Sequence, residues 1–186
     1  MRVLPCVLPF LAACSQAARY VEEAGDTAPV GDGGDSGGQV DGGTPEAGVE
    51  VNEILASNDA AVTDEAGDPE DFLELYNGGD ERIDLSGWGI ADDPASEAWR
   101  FPEGAALEPG AFLVLWCDQE PEEGALHADF KLSGDGETVV LWDAQDNELW
   151  RLDYGPQETD VSIGRIPDGS EVWQPLAAPS PGASNQ

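Results

Sequence analysis

Carboxylates dominate the residues able to do chemistry. The loop from Asn58 to Asp71 carries Asp59, Asp64 and Asp68 between its ends, and a further pair, Asp92-Asp93, follows downstream. Hard oxygen ligands of this kind suit Ca2+, and Asn58, Asp71, Asp92 and Asp93 are expected to converge on such an ion at one end of the domain. The loop does not follow the EF-hand pattern, because counting from Asp59 puts Asp64 where that loop needs Gly. A solvated acidic loop is the competing reading. His127 is the only histidine, and the sequence holds no Gly-Lys-Ser run or His-Glu-x-x-His pair, so a hydrolase is the weakest reading. His127 itself reads as a structural or surface histidine. Neighbouring carboxylates are too common in this chain to argue for glycoside hydrolysis.

Two acids sit where acids are costly. Glu53 and Glu74 lie inside strand-like runs, and a buried carboxylate needs a partner. Arg165, in a Ser-x-Gly-Arg motif, is the expected one, giving a structural ion pair rather than a metal site. Cys117 follows the run Phe112-Leu113-Val114-Leu115-Trp116 with no basic neighbour to lower its pKa, and reads as an inert thiol.

Charge narrows the partners. The 186 residues include 39 acidic against 7 basic ones, for a formal net charge of -32. Beyond residue 50 the only basic residues are Arg82, Arg100, Lys131, Arg151 and Arg165, so no basic patch can track phosphates and nucleic acid is not an expected partner.

The start of the chain reads as an address. Met1-Arg2 is positive, and the apolar run from Val3 to Ala13 is too short to span a bilayer, which needs about 20 residues. Leu11-Ala12-Ala13-Cys14 resembles the lipobox of bacterial lipoproteins, in which the signal is cut before the cysteine and the thiol is lipidated. The resemblance implies a signal peptide over 1–13, an acylated Cys14 and attachment to a membrane, with Ser15 similar to the outer-membrane sorting pattern. With Cys6 removed and Cys14 acylated, Cys117 has no partner for an intrachain disulfide. From Cys14 to Gly48 the chain is rich in Gly, Asp, Glu, Ala and Pro, centred on Gly31-Asp32-Gly33-Gly34-Asp35-Ser36-Gly37-Gly38, and is expected to be an extended acidic linker. Its spacing is too irregular for a calcium-binding glycine-aspartate repeat.

Positioning the residues able to do chemistry falls to the segment beyond the linker. From Val49 to Asn185 short apolar runs alternate with Gly, Pro, Asp and Asn, the texture of an all-β domain. Strands are expected at 51–56, 72–76, 89–91, 99–101, 112–116, 129–132, 138–142, 148–154 and 162–165. The turns Asn77-Gly78-Gly79-Asp80, Glu108-Pro109-Gly110, Gly134-Asp135-Gly136 and Pro167-Asp168-Gly169 separate several of them. So many strands in one domain imply a two-sheet β-sandwich. Alternation assigns Leu73 and Leu75 to the core face, but cannot choose between Val139 with Leu141 and Val140 with Trp142.

The domain resembles the lamin-tail domain family, an immunoglobulin-like β-sandwich found at the end of nuclear lamins and in many secreted bacterial proteins. The resemblance is carried by Val51-Asn52-Glu53-Ile54, Asp71-Phe72-Leu73-Glu74-Leu75-Tyr76-Asn77, Ile83-Asp84-Leu85-Ser86-Gly87-Trp88 and Trp99-Arg100-Phe101-Pro102. It continues through Leu107-Glu108-Pro109-Gly110, His127-Ala128-Asp129-Phe130-Lys131-Leu132-Ser133, Ser162-Ile163-Gly164-Arg165 and Pro179-Ser180-Pro181-Gly182-Ala183-Ser184-Asn185. Phe72 stands where bacterial members often carry Trp, and no nuclease or phosphoesterase domain accompanies the module. The resemblance implies a non-catalytic interaction module, here on a lipid-anchored protein of the bacterial cell envelope, with an envelope protein or a glycan as partner. The alternative is a calcium-stabilised carbohydrate-binding module. Of the six tryptophans, Trp88, Trp99 and Trp173 stand at positions that the resemblance marks as packing, leaving Trp116, Trp142 and Trp150 as a possible aromatic platform.

Overall fold

The computed structural model describes residues 48–186. The expected signal segment, Cys14 and all but the last residue of the expected linker lie outside the described residues. Within them the regular structure is all strand. In chain order the strands are β1 (Val49–Leu55), β2 (Phe72–Asn77), β3 (Ile83–Asp84), β4 (Gly89–Ala91), β5 (Trp99–Arg100) and β6 (Ala106–Leu107). They continue as β7 (Phe112–Cys117), β8 (His127–Ala128), β9 (Glu137–Trp142), β10 (Glu148–Tyr154), β11 (Ile163–Arg165) and β12 (Trp173–Pro175). A six-stranded sheet runs β12-β11-β1-β2-β7-β8, a four-stranded sheet runs β10-β9-β4-β5, and β3 pairs with β6. The domain is an all-β immunoglobulin-like sandwich.

The core forms between the two larger sheets. Leu73, Leu75, Leu115 and Cys117 enter it from the six-stranded sheet, and Ile90, Val139, Leu141 and Leu152 from the four-stranded one. Leu73 and Leu75 thus take the core face that alternation assigns them. On β9, where alternation is silent, Val139 and Leu141 face the core and Trp142 is half-buried. Each fully buried leucine contributes about 1.5–3 kcal/mol over leaving it in water. Turn chemistry sets the strand order locally: Pro109 presets φ, Gly110 takes φ +70°, and Ala111 N donates to Glu108 O at 3.0 Å. Gly136 is likewise required, since its φ is +97° and a Cβ there would stand 2.5 Å from Tyr154 O.

The second face of the six-stranded sheet is covered in part. Phe72 and Glu74, which point away from the core leucines, are as fully buried as they are. Phe72 lies in a small apolar cluster with Leu55 and Trp116, against which Val62 of the loop between β1 and β2 packs. Phe72 and Trp116 meet edge to face at 5.8 Å. Glu74 lies beneath the C-terminal segment from Leu176 to Gln186, whose Gly182 N donates to it at 2.6 Å. This strap crosses the outer face of β1 and β2.

One expected strand moves. Pairing near 129–132 falls instead at β8, His127–Ala128, which runs parallel to β7 with Trp116 opposite His127. Lys131 makes only an isolated bridge to Asp118. The chain leaves β7 at Asp118, loops out and returns alongside the same strand. Trp116 N donates to Leu126 O at 2.9 Å and Gln119 N to Ala128 O at 3.0 Å, which fixes that register.

Cys117 is fully buried at the end of β7, and burial, with Asp71 and Asp118 adding negative charge, pushes its thiol well above the usual range. The peptide containing Cys117 is therefore expected to stay unlabelled when the native protein is treated with a maleimide and to label fully in denaturant. Labelling at equal rates in both states would show the thiol to be accessible.

Candidate functional site

The strap and the strands beneath it form a dense polar network. A bulge between Val51 and Glu53 shifts the register of β1 against β2. Glu53 accepts from Ser180 N and from Ser180 Oγ at 2.9 Å. Asn52 Nδ2 donates to Asp168 Oδ1 at 3.0 Å and to Glu74 Oε1 at 3.3 Å, while Asn52 Oδ1 accepts from Gly169 N. Asp168 also accepts from Asn185 N and Ser184 Oγ, so the Pro167-Asp168-Gly169 turn clasps the end of the strap. Glu53 and Glu74 stand directly opposite each other across β1 and β2. Burial raises both carboxyls, Glu74 to about 7, and the strap's donors offset only part of that.

Arg165 does not serve these two acids as expected. Its ion pair is with Glu50 at 3.1 Å, its Nε donates to Val51 O at 2.8 Å, and its Nη1 donates to Ser170 O. The guanidinium also lies over Trp173 at 5.0 Å and beside Trp150 at 6.0 Å. Glu53 and Glu74 are satisfied by hydroxyl and amide donors of the strap, which reach them from above the sheet, while Arg165 is drawn to its own side of β1.

The four residues expected around calcium do not form one site. Asn58 spends its side chain closing its own loop: Nδ2 donates to Val62 O and Glu70 O, and Oδ1 accepts from Ala61 N. Asp71 accepts from Asn58 N at 3.0 Å and is raised to about 6 by burial. Asp92 and Asp93 border a shallow depression with Glu137, where Asp93 caps Ala95 N at 2.8 Å. Glu137 already accepts from Tyr154 OH at 2.7 Å and Ser133 N at 2.9 Å. Among the described residues, Asp71, Asp92 and Asp93 share no cluster within reach of a single ion.

The aromatic platform also dissolves. Trp116 is buried on β7 of the six-stranded sheet, whereas Trp142 and Trp150 belong to β9 and β10 of the other. Trp150 packs against the core and Arg165. No single face presents all three. The outer face of β7 offers instead a shallow, largely apolar groove along Phe112, Val114 and Trp116, bordered by Pro181 of the strap and by Asp64 and Glu65. Phe112 is stacked on Tyr76 at 4.9 Å.

At the end of that groove lies a cluster that the sequence pattern does not assemble. His127 is 4% exposed, and its Nδ1 is hydrogen-bonded to buried Asp118 Oδ2. On its other edge Nε2 lies 3.3 Å from Glu65 Oε2. Burial acts against a charged imidazole, but the bond and charge of Asp118, with Glu65 behind them, hold its pKa above the ordinary value. Asp64 is buried, and its Oδ1 accepts from Gly67 N at 2.8 Å and Asp68 N at 3.0 Å. Glu123 completes the group, with one ligand atom each from Asp64, Glu123 and His127 lying within 4.8 Å of one another. The return of the chain beside β7 brings Asp118 and His127 together, and nothing in the sequence marks this loop out from many equally acidic ones.

A family model described as Lamin Tail Domain matches residues 43–156. No curated protein matches the chain.

Proposed function

The chain belongs to the lamin tail domain family, and on that premise we propose that it is an exported bacterial lipoprotein displaying a non-catalytic interaction domain from the cell envelope. The observation that carries the anchor is Leu11-Ala12-Ala13-Cys14 followed by an acidic, glycine-rich stretch up to the first strand. An acylated cysteine with more than one chain gives stable attachment where a single chain is marginal. The acidic, glycine-rich composition between Cys14 and the domain is that of a linker. Ser15 supports delivery to the outer membrane.

An envelope protein is the partner this surface suits best. The β7 groove offers apolar side chains with acidic residues at one end, which favours a segment carrying apolar anchors and a basic residue. A sugar platform has less to stand on, because Trp116, Trp142 and Trp150 are divided between the two sheets.

Phase partition tests the anchor. Expressed in a Gram-negative host, the protein is expected to enter the detergent phase of a Triton X-114 extract and Cys14→Ser to stay in the aqueous phase. Both remaining aqueous would remove the anchor from this reading, and the domain would then be a secreted one.

A further inference from the structure

We propose that Asp64, Glu123 and His127 form a binding site for a borderline divalent metal ion, zinc or a first-row neighbour such as cobalt or nickel, with Glu65 available as a fourth ligand. Four observations converge on it. A ring nitrogen of His127 and one carboxylate oxygen each of Asp64 and Glu123 lie within 4.8 Å of one another. Ligands about 2.0–2.2 Å from a common ion stand roughly 3–4 Å apart, so a small inward swing of exposed Glu123 closes the set. Second, the imidazole is already oriented: Asp118 engages Nδ1, which turns Nε2 toward Glu65. A carboxylate behind a ligating histidine is the arrangement that fixes tautomer and ring plane in metal sites.

Third, Asp64 holds an oxygen in reserve. Its Oδ1 takes two backbone N–H groups, while Oδ2 is buried with no hydrogen-bond partner, in a residue 8% exposed. A buried carboxylate oxygen without a partner is costly, and a cation answers it. Fourth, Gly124 keeps the approach open, since a Cβ there would stand 2.7 Å from His127 Cδ2 and 3.2 Å from Nε2. The nitrogen ligand separates this site from calcium chemistry, because Ca2+ takes oxygen ligands and imidazole suits zinc and its neighbours. The site borders the β7 groove, yet it stands on its own residues and does not depend on the anchor or on a partner.

The single histidine makes the test direct. The full chain, stripped with chelator, is titrated with Zn2+ while the imidazole C–H resonances are followed by NMR. Those resonances are expected to shift completely by one equivalent, to be unmoved by the same amount of Ca2+, and the melting temperature is expected to rise with Zn2+ alone. Glu123→Gln, exposed and safe for folding, is expected to weaken binding at least about tenfold, the usual order for losing a carboxylate ligand or its support. Asp64→Asn is expected to abolish the one-equivalent event, and Glu122→Gln to leave it intact. Imidazole resonances indifferent to Zn2+ would overturn the proposal. So would affinity unchanged in Glu123→Gln, or a Co2+ spectrum dominated by thiolate charge transfer, which would place the ion on cysteines.

Discussion

Chemical unfolding followed across pH is expected to show the domain losing stability as pH rises from about 4.5 to about 7, with Glu74 responsible for a large share. Glu74 is fully buried on β2, and burial outweighs the bonds from Gly182 N and Asn52 in setting its carboxyl at about 7 against an ordinary 4.5. Glu53, directly opposite on β1, adds like charge in the same direction. A carboxyl raised in the folded state binds its proton more tightly there than in the unfolded chain. Folding therefore takes up a proton within the window: the stability is whole below about 4.5, falls through the window, and is lost once pH passes about 7. A shift of that size corresponds to about 3 kcal/mol. Asp71, raised from 3.8 to about 6, slopes the same way over a lower range. General repulsion in a chain of net charge -32 does so too, which makes a variant necessary. Glu74→Gln is expected to flatten the profile between 4.5 and 7, while the exposed control Glu171→Gln keeps the wild-type slope. The same slope in Glu74→Gln as in wild type would assign the whole profile to general repulsion.

Most of the long strands are legible in the sequence because their side chains alternate against a single core. Leu73 and Leu75 on β2 need only a period of two to be placed, and the Glu108-Pro109-Gly110 turn needs only its two special residues. Alternation is blind to β3, β6 and β12, which are two or three residues long and are fixed by their partners rather than by their own pattern. It is also blind to a roof. Alternation leaves Phe72, Glu74 and Trp116 on the face away from the core without saying what covers it, and the loop carrying Val62 and the C-terminal strap dry that face over them. The same cause misdirects the choice of site residues. Glu53 and Glu74 invite a cation when only the strands are known, and the hydroxyl of Ser180 and the amide of Gly182 answer them from a segment more than a hundred residues away in sequence. His127 and Asp118 lie nine residues apart, but their meeting depends on β8 running parallel to β7, which nothing in the composition of that loop specifies.

If the strap is what keeps Glu53 and Glu74 dry, its last anchor should be among the most costly residues to remove. Asn185 is 6% exposed. Its Nδ2 donates to Asn52 O and Arg165 O, both at 3.0 Å, its Oδ1 accepts from Ser180 Oγ, and its backbone N donates to Asp168 Oδ1. Asn185→Ala leaves two buried carbonyls without that donor and frees Ser180, the residue that holds Glu53. An unsatisfied buried group costs about 1–3 kcal/mol, so a loss of about 2–4 kcal/mol in urea unfolding is expected. Gly164 makes the interpretation specific. A Cβ there would stand 2.6 Å from Asn185 Nδ2, so Gly164→Ala should expel the same amide from below. Two substitutions that break one contact do not add, and the double variant is expected to cost little more than the worse single one. Additive losses would mean that Gly164 acts through its own strand instead. A strap loosened at Asn185 also lets water reach Glu74, so Asn185→Ala should flatten the stability profile between 4.5 and 7 without touching the titrating group itself.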